Sequence, residues 1–138
     1  MAVRNISVLI LYDADGKILL QHRSKNATRL PDHWAFFGGG IEQDEGPEEA
    51  LKREIEEELS LEINNFHLLV TQKFTYKEDN NTKYVFVKKY DNETLVLGEG
   101  QSMGWFLPEE TSGLKMVDHD RSIIEEVSKY LKTTNNSS

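Results

Sequence analysis

The sequence predicts an α/β fold, an α/β/α sandwich in which a mixed β-sheet carries a helix on each face. Short β-branched and apolar runs separated by turn residues mark several strands. A stretch of strong helix formers interrupts them at residues 47–59, and a second helical periodicity closes the chain. Strands and helices in this order bury a sheet between helices.

Residues 8–11 are uniformly apolar, Asp13-Ala14-Asp15-Gly16 is a turn, and residues 17–21 resume apolar character, which together read as a hairpin. Residues 22–32 are polar and end near Pro31, a loop that delivers residues 34–37 to the body of the fold. Gly38, Gly39 and Gly40 follow as a further loop. Pro47 suits a first helical turn, and Ala50, Leu51, Ile55 and Leu59 give the following helix its apolar face. Residues 67–76 and 82–90 flank Glu78-Asp79-Asn80-Asn81 as a second hairpin, and residues 104–107 form a short strand. Ile123, Ile124, Val127, Tyr130 and Leu131 recur at helical spacing, with Ser122 and Glu125 as a capping box. The chain of 138 residues reads as one domain over 1–132 with a flexible, apolar-free tail at 133–138.

Lys and Arg number 16 against 24 Asp and Glu, for a net charge of -8. That balance argues against nucleic-acid polymers and acidic membranes and favours cations as partners. The absence of cysteine removes disulfides, thiolate metal sites and Cys nucleophiles. The apolar N-terminal run is too short to span a bilayer and lacks a cleavage signal, so a cytoplasmic location is expected.

The chemistry concentrates in Arg53-Glu54-Ile55-Glu56-Glu57-Glu58. Glu54, Glu57 and Glu58 stand at i, i+3 and i+4, on one helix face. Like charges at that spacing destabilise a helix by roughly 0.2–0.5 kcal/mol per pair, and a bound cation reverses the sign. Hard divalent cations such as Mg²⁺ take carboxylate, water and phosphate oxygens. An acidic solvated face explains the cluster equally well on its own, but the three glycines lead toward the helix N-terminus, where amides and dipole favour an anion.

Gly39, Glu45, Arg53, Glu54, Ile55, Glu57, Glu58 and Leu61 fit the pattern G-x5-E-x7-R-E-U-x-E-E-x-G-U, and the chain thereby resembles the Nudix hydrolase family, MutT-like members included. Ser60 stands in place of the second glycine, and Phe37 where the family usually has proline. The resemblance implies a Nudix-type fold and hydrolysis of a diphosphate linkage in a nucleoside diphosphate derivative, a nucleoside triphosphate first among them. It implies Mg²⁺ as cofactor, with Mn²⁺ as a substitute, while a monomer or homodimer is compatible with the sequence. It assigns metal binding to Glu54, Glu57, Glu58 and the Gly38 carbonyl, and a stabilising pair to Glu45 and Arg53. Glu57 and the loop residue Glu99 are alternative general bases, and Glu99 is also a candidate ligand. Gly39, Gly40 and Arg23 would meet the phosphates, although Arg23 also reads as a surface charge. Asp120 resembles a base-recognising position and equally a helix N-cap. Trp34, Phe86 and Trp105 are aromatic candidates for stacking or for the core.

Gly100-Gln101-Ser102-Met103-Gly104, with Asp118 and His119 after it, imitates a serine-hydrolase elbow. Such an elbow needs a helix after its serine, whereas a strand follows here. A noncatalytic nucleotide-binding or regulatory module on the same fold is the remaining alternative, supported only by Ser60.

Overall fold

The computed structural model describes residues 4–76, 78–98 and 102–136. Seven strands and two helices follow one another as β1 Ile6–Tyr12, β2 Ile18–His22, β3 Trp34–Ala35, β4 Phe37–Gly40, α1 Pro47–Leu59, β5 His67–Tyr76, β6 Asp79–Lys89, β7 Ser102–Phe106 and α2 Asp118–Asn136, with a 3-10 turn at Pro108–Gly113. β1 lies at the centre. It pairs in parallel with β6 on one side, and on the other antiparallel with β4 along residues 6–9 and with β2 at Tyr12. β5 extends the sheet beyond β6, while β3 and β7 both pair with β2. The sheet is therefore mixed, as the sequence predicts.

Alternation along the strands explains the two layers. Val8, Ile10, Ile18, Leu20, Val85 and Val87 face one core, which α2 closes with Ile123, Val127 and Leu131. Leu9, Leu11, Leu19 and Phe86 face the other, closed by Leu51, Ile55 and Leu59 of α1. A central strand covered on both faces reads as an uninterrupted apolar run, which is why residues 8–11 show no polar alternation. The α/β/α sandwich follows directly.

Four local expectations change. The triple glycine is not a loop: Gly38, Gly39 and Gly40 are strand residues paired with Val8, Ser7 and Ile6. A Cβ on Gly38, at φ +142°, would lie 2.1 Å from the Ser7 carbonyl oxygen, so this close approach requires glycine. The second hairpin turns more tightly than the sequence suggests. Asp79, Asn80 and Asn81 join β6, and Asn81 Oδ1 accepts from the Arg4 amide at 2.8 Å. α2 begins at Asp118, four residues before the expected Ser122 cap, and Ser122 Oγ instead donates to the Asp118 carbonyl. The same helix runs on to Asn136, past the expected boundary at 132. The Thr133 and Thr134 hydroxyls donate to carbonyls one turn back.

Candidate active site

The glutamate helix is placed by its apolar face. With Leu51, Ile55 and Leu59 fully buried, Glu54 and Glu58 are carried to the edge of the sheet beside β4. Glu58 Oε1 accepts from the Gly38 amide at 2.7 Å, and its Oε2 lies 3.5 Å from the Gln21 side-chain amide. The Glu54 carboxyl fills the space a Gly39 Cβ would take, 2.5 Å from that position. The glycine strand thus runs beside the second half of α1. The anticipated meeting of glycines and helix N-terminus does not occur, and Glu49 accepts from the Gly46 amide at that terminus.

Arg53 organises the helix flank. Its Nε and Nη2 donate to the two oxygens of Glu45 at 2.8 and 2.9 Å, Nη2 also donates to the Gly40 carbonyl, and Nη1 donates to Glu54 at 2.8 Å. The hydrogen bonds from Arg53 hold the Glu45 carboxyl down at about 2, and Glu45 in turn raises Arg53. The expected pairing of Glu45 with Arg53 is present. Gly40, expected against phosphate, gives its carbonyl to Arg53 and is not among the residues lining the cavity.

The three glutamates share a helix face but do not converge. Glu57 points outward, 60% exposed and 3.6 Å from Arg53, while Glu54 is neutralised by Arg53 and Glu58 is turned inward. Among the described residues, no three acidic or histidine side chains gather closely enough to hold a metal ion. Mutual repulsion and the competing guanidinium account for the spread. Burial, reinforced by the charge of Glu54, pushes the Glu58 carboxyl up to about 8. A buried carboxylate with a second one beside it is a donor set that suits a hard divalent cation, whose charge would offset the burial. Glu99 lies outside the described residues, as do Gly100 and Gln101.

Beside Glu58 opens a cavity of about 180 Å³. Ile6 and Val8 of β1 line it, with Arg23, Gly38 and Gly39 from one side of the sheet and Phe74, His119 and Asp120 from the other. Arg23 lies near enough to lower the Glu58 pKa, and its Nε donates to the Arg29 carbonyl. Asp120 is no N-cap. It sits inside the first turn of α2, and its Oδ1 accepts from Lys83 Nζ at 2.5 Å. Trp34 stacks on His22, Phe86 meets Phe66 in the core, and Trp105 leans on Tyr90, so none of the three anticipated aromatics lines the cavity. Phe74 does. Ser102 opens a strand that pairs with β2, which rules out the elbow geometry.

Sequence reasoning gave no role here to Lys83, Phe74 or Gln21, and met His119 only in the rejected elbow. One signal was available: Lys83 shares strand parity with the buried Val85 and Val87, a charged residue in an apolar row. Gln21 is 1% exposed, and its Oε1 has no partner among the described residues.

The NUDIX domain family model matches residues 1–127. The chain belongs to the Nudix family. The nucleoside triphosphatase NudI of Escherichia coli is 32% identical, the match covering 72% of this chain and 79% of the relative. The MutT protein of Methanosarcina mazei Go1 has the same fold at a TM-score of 0.82 and 20% identity, over 94% of this chain and 96% of that one. The Escherichia coli ORF135 protein superposes at 0.76 with 28% identity, over 91% and 89%. The NUDIX domain of Shewanella oneidensis NrtR, solved with ADP ribose, superposes at 0.77 with 16% identity, over 95% and 90%. This Nudix protein is a hydrolase acting on phosphoric anhydrides. Nudix hydrolases generally use a divalent cation, usually Mg²⁺. No helix among the described residues is long and apolar enough to cross a membrane.

Proposed function

We propose that this Nudix hydrolase is a Mg²⁺-dependent pyrophosphohydrolase that cleaves a diphosphate linkage of a nucleoside triphosphate. The observation that carries the reading is one cavity lined by Gln21, Arg23, Gly38 and Gly39, with Glu58 bonded to the Gly38 amide, and lined also by Asp120 and Phe74. Glu54, Glu58 and the Gly38 carbonyl would hold the cation, with Glu57 turning in from solvent. When bound, Mg²⁺ neutralises phosphate charge and lowers the pKa of water. Water oxygen attacks phosphorus, the bridging P–O bond breaks with its electron pair leaving on oxygen, and a carboxylate takes the proton. Glu57 and Glu99 are the two candidate bases. Arg53 and Glu45 keep Glu54 in place, and Arg23 meets the phosphates. A cavity of roughly 150 Å³ holds a benzene ring, so the volume suits a heterocyclic ring while the phosphates lie toward Glu58. The substrate named for the Escherichia coli relative supports a triphosphate. A cytoplasmic location accords with this activity.

Phosphate and pyrophosphate release from a panel of nucleotides with Mg²⁺ tests the reading, comparing the wild type with Glu57→Gln and Glu58→Gln. Pyrophosphate release lost in Glu58→Gln is the expected result. No release from any nucleotide, with Mn²⁺ also supplied, would overturn it in favour of a binding module.

A further inference from the structure

The far wall of the cavity holds a buried group that phosphate chemistry does not use. Lys83 is 0% exposed and does not line the cavity. Its ammonium donates to Asp120 Oδ1 at 2.5 Å and to His119 Nδ1 at 2.7 Å, and both of those residues line the cavity. Phe74 stacks on the His119 ring at 4.4 Å and 25°, with Lys83 5.3 Å from the Phe74 ring centre.

These contacts fix hydrogen-bonding roles. Burial lowers the Lys83 pKa and Asp120 opposes it; as an ammonium, lysine has only donors, so the ring nitrogen facing it accepts and the His119 proton sits on Nε2. Burial, and next the charge of Lys83, push the His119 pKa down, which keeps the ring neutral. Asp120, with Oδ1 committed to Lys83, keeps Oδ2 as an acceptor. One buried ammonium therefore sets the roles of two consecutive cavity-lining residues, a donor in His119 and an acceptor in Asp120, with Phe74 stacked on the first.

We propose that Lys83 is a positioning residue for specificity: by fixing His119 as an Nε2–H donor and Asp120 as an acceptor, it makes this wall a receptor for the edge of a nucleobase. That edge carries an N–H beside a carbonyl oxygen or ring nitrogen. The inference rests on the reading of the cavity as a nucleotide site. It adds that recognition of the base is separable from chemistry on the phosphates. A buried polar pair left unmatched by a ligand without a base discriminates strongly.

Two measurements on the full chain decide it. In ¹⁵N-edited NMR of the wild type, His119 should show the neutral Nε2–H tautomer. Its signals should shift on titration with guanosine, cytidine, adenosine or uridine but not with ribose 5-phosphate. In kinetics, Lys83→Met should raise KM for the best nucleoside triphosphate about tenfold or more, with the smaller change in kcat. Turnover of ribose 5-triphosphate, which lacks a base, should change far less. Because Lys83→Met leaves Asp120 buried without its partner, Lys83→Met/Asp120→Asn is measured beside it, and it should show the same loss of base discrimination in a folded protein. A His119 ring that ignores every nucleoside, or equal losses for triphosphates with and without a base, would overturn the proposal. Nucleoside-dependent shifts in a protein that hydrolyses no triphosphate would sink the proposed function and leave the base-recognising wall standing.

Discussion

Two ion pairs border the site and hold their residues by different means. Arg53 and Glu45 meet at the surface of α1, with side chains 25% and 17% exposed, through a two-pronged contact that also reaches Glu54 and Gly40. Lys83 and Asp120 meet across β6 and α2, with side chains 0% and 8% exposed. Water screens the first pair, so its net worth is small and its value lies in orientation. The second was taken out of water at a cost that only mutual contact offsets, and either residue alone would be an uncompensated buried charge. The surface pair can lose one member at little cost in stability, and the buried pair cannot.

The largest effect that comparison predicts is in Lys83→Met, which should lose about 3–5 kcal/mol of stability in urea titration, much of it regained in Lys83→Met/Asp120→Asn. A loss below about 1 kcal/mol would erase the distinction between the two pairs. A second effect belongs to Glu58. Its folded carboxyl holds a proton more tightly than the unfolded chain does, so its contribution is fully present below about 4.5 and is lost as pH rises through about 8. Without divalent cations, the wild type should lose stability relative to Glu58→Gln between pH 5 and 8.5, and added Mg²⁺ should narrow the gap. Parallel curves for the two proteins would contradict the burial of this charge. The smallest stability change should come from Arg53→Met, about 1 kcal/mol or less. Its kcat/KM should nevertheless fall roughly 10–100-fold, because the carboxylate beside it loses its support. Equal damage to stability and activity would mean that Arg53 does no more than hold the helix.

The helix side of the site was legible in the sequence because its logic is local. Spacing alone brings Glu54, Glu57 and Glu58 to one face, and Arg53 reaches Glu45 within a single loop and turn. The helix bounds at 47–59 hold, marked by Pro47 at one end and Ser60 at the other. Ser60 adopts the left-handed conformation expected of the glycine it replaces, at φ 53° and ψ 37°, and its amide donates to the Glu56 carbonyl. The direction of each glutamate was not legible, since Arg53 and the Gly38 amide decide it. Nor was the strand character of the glycines. Their value lies less in a flexible turn than in the missing Cβ, which lets β4 approach Ser7 and Glu54. The far wall needed tertiary structure outright: Phe74, Lys83 and His119 come from three elements, and Lys83 beside Lys88 and Lys89 resembles an ordinary charged strand end.

The parallel pairing of Ile6 with Lys83 also governs when the site can exist. As the chain is synthesised, α1 and the glycine strand are complete while β1 still has one open edge. A parallel partner from so far along the chain closes a large loop before any contact rewards it, and such closures are slow. Until β6 arrives, that edge is a template for foreign strands. His119 and Asp120 come later still, so docking of α2 is the step at which a folding chain first acquires a complete cavity.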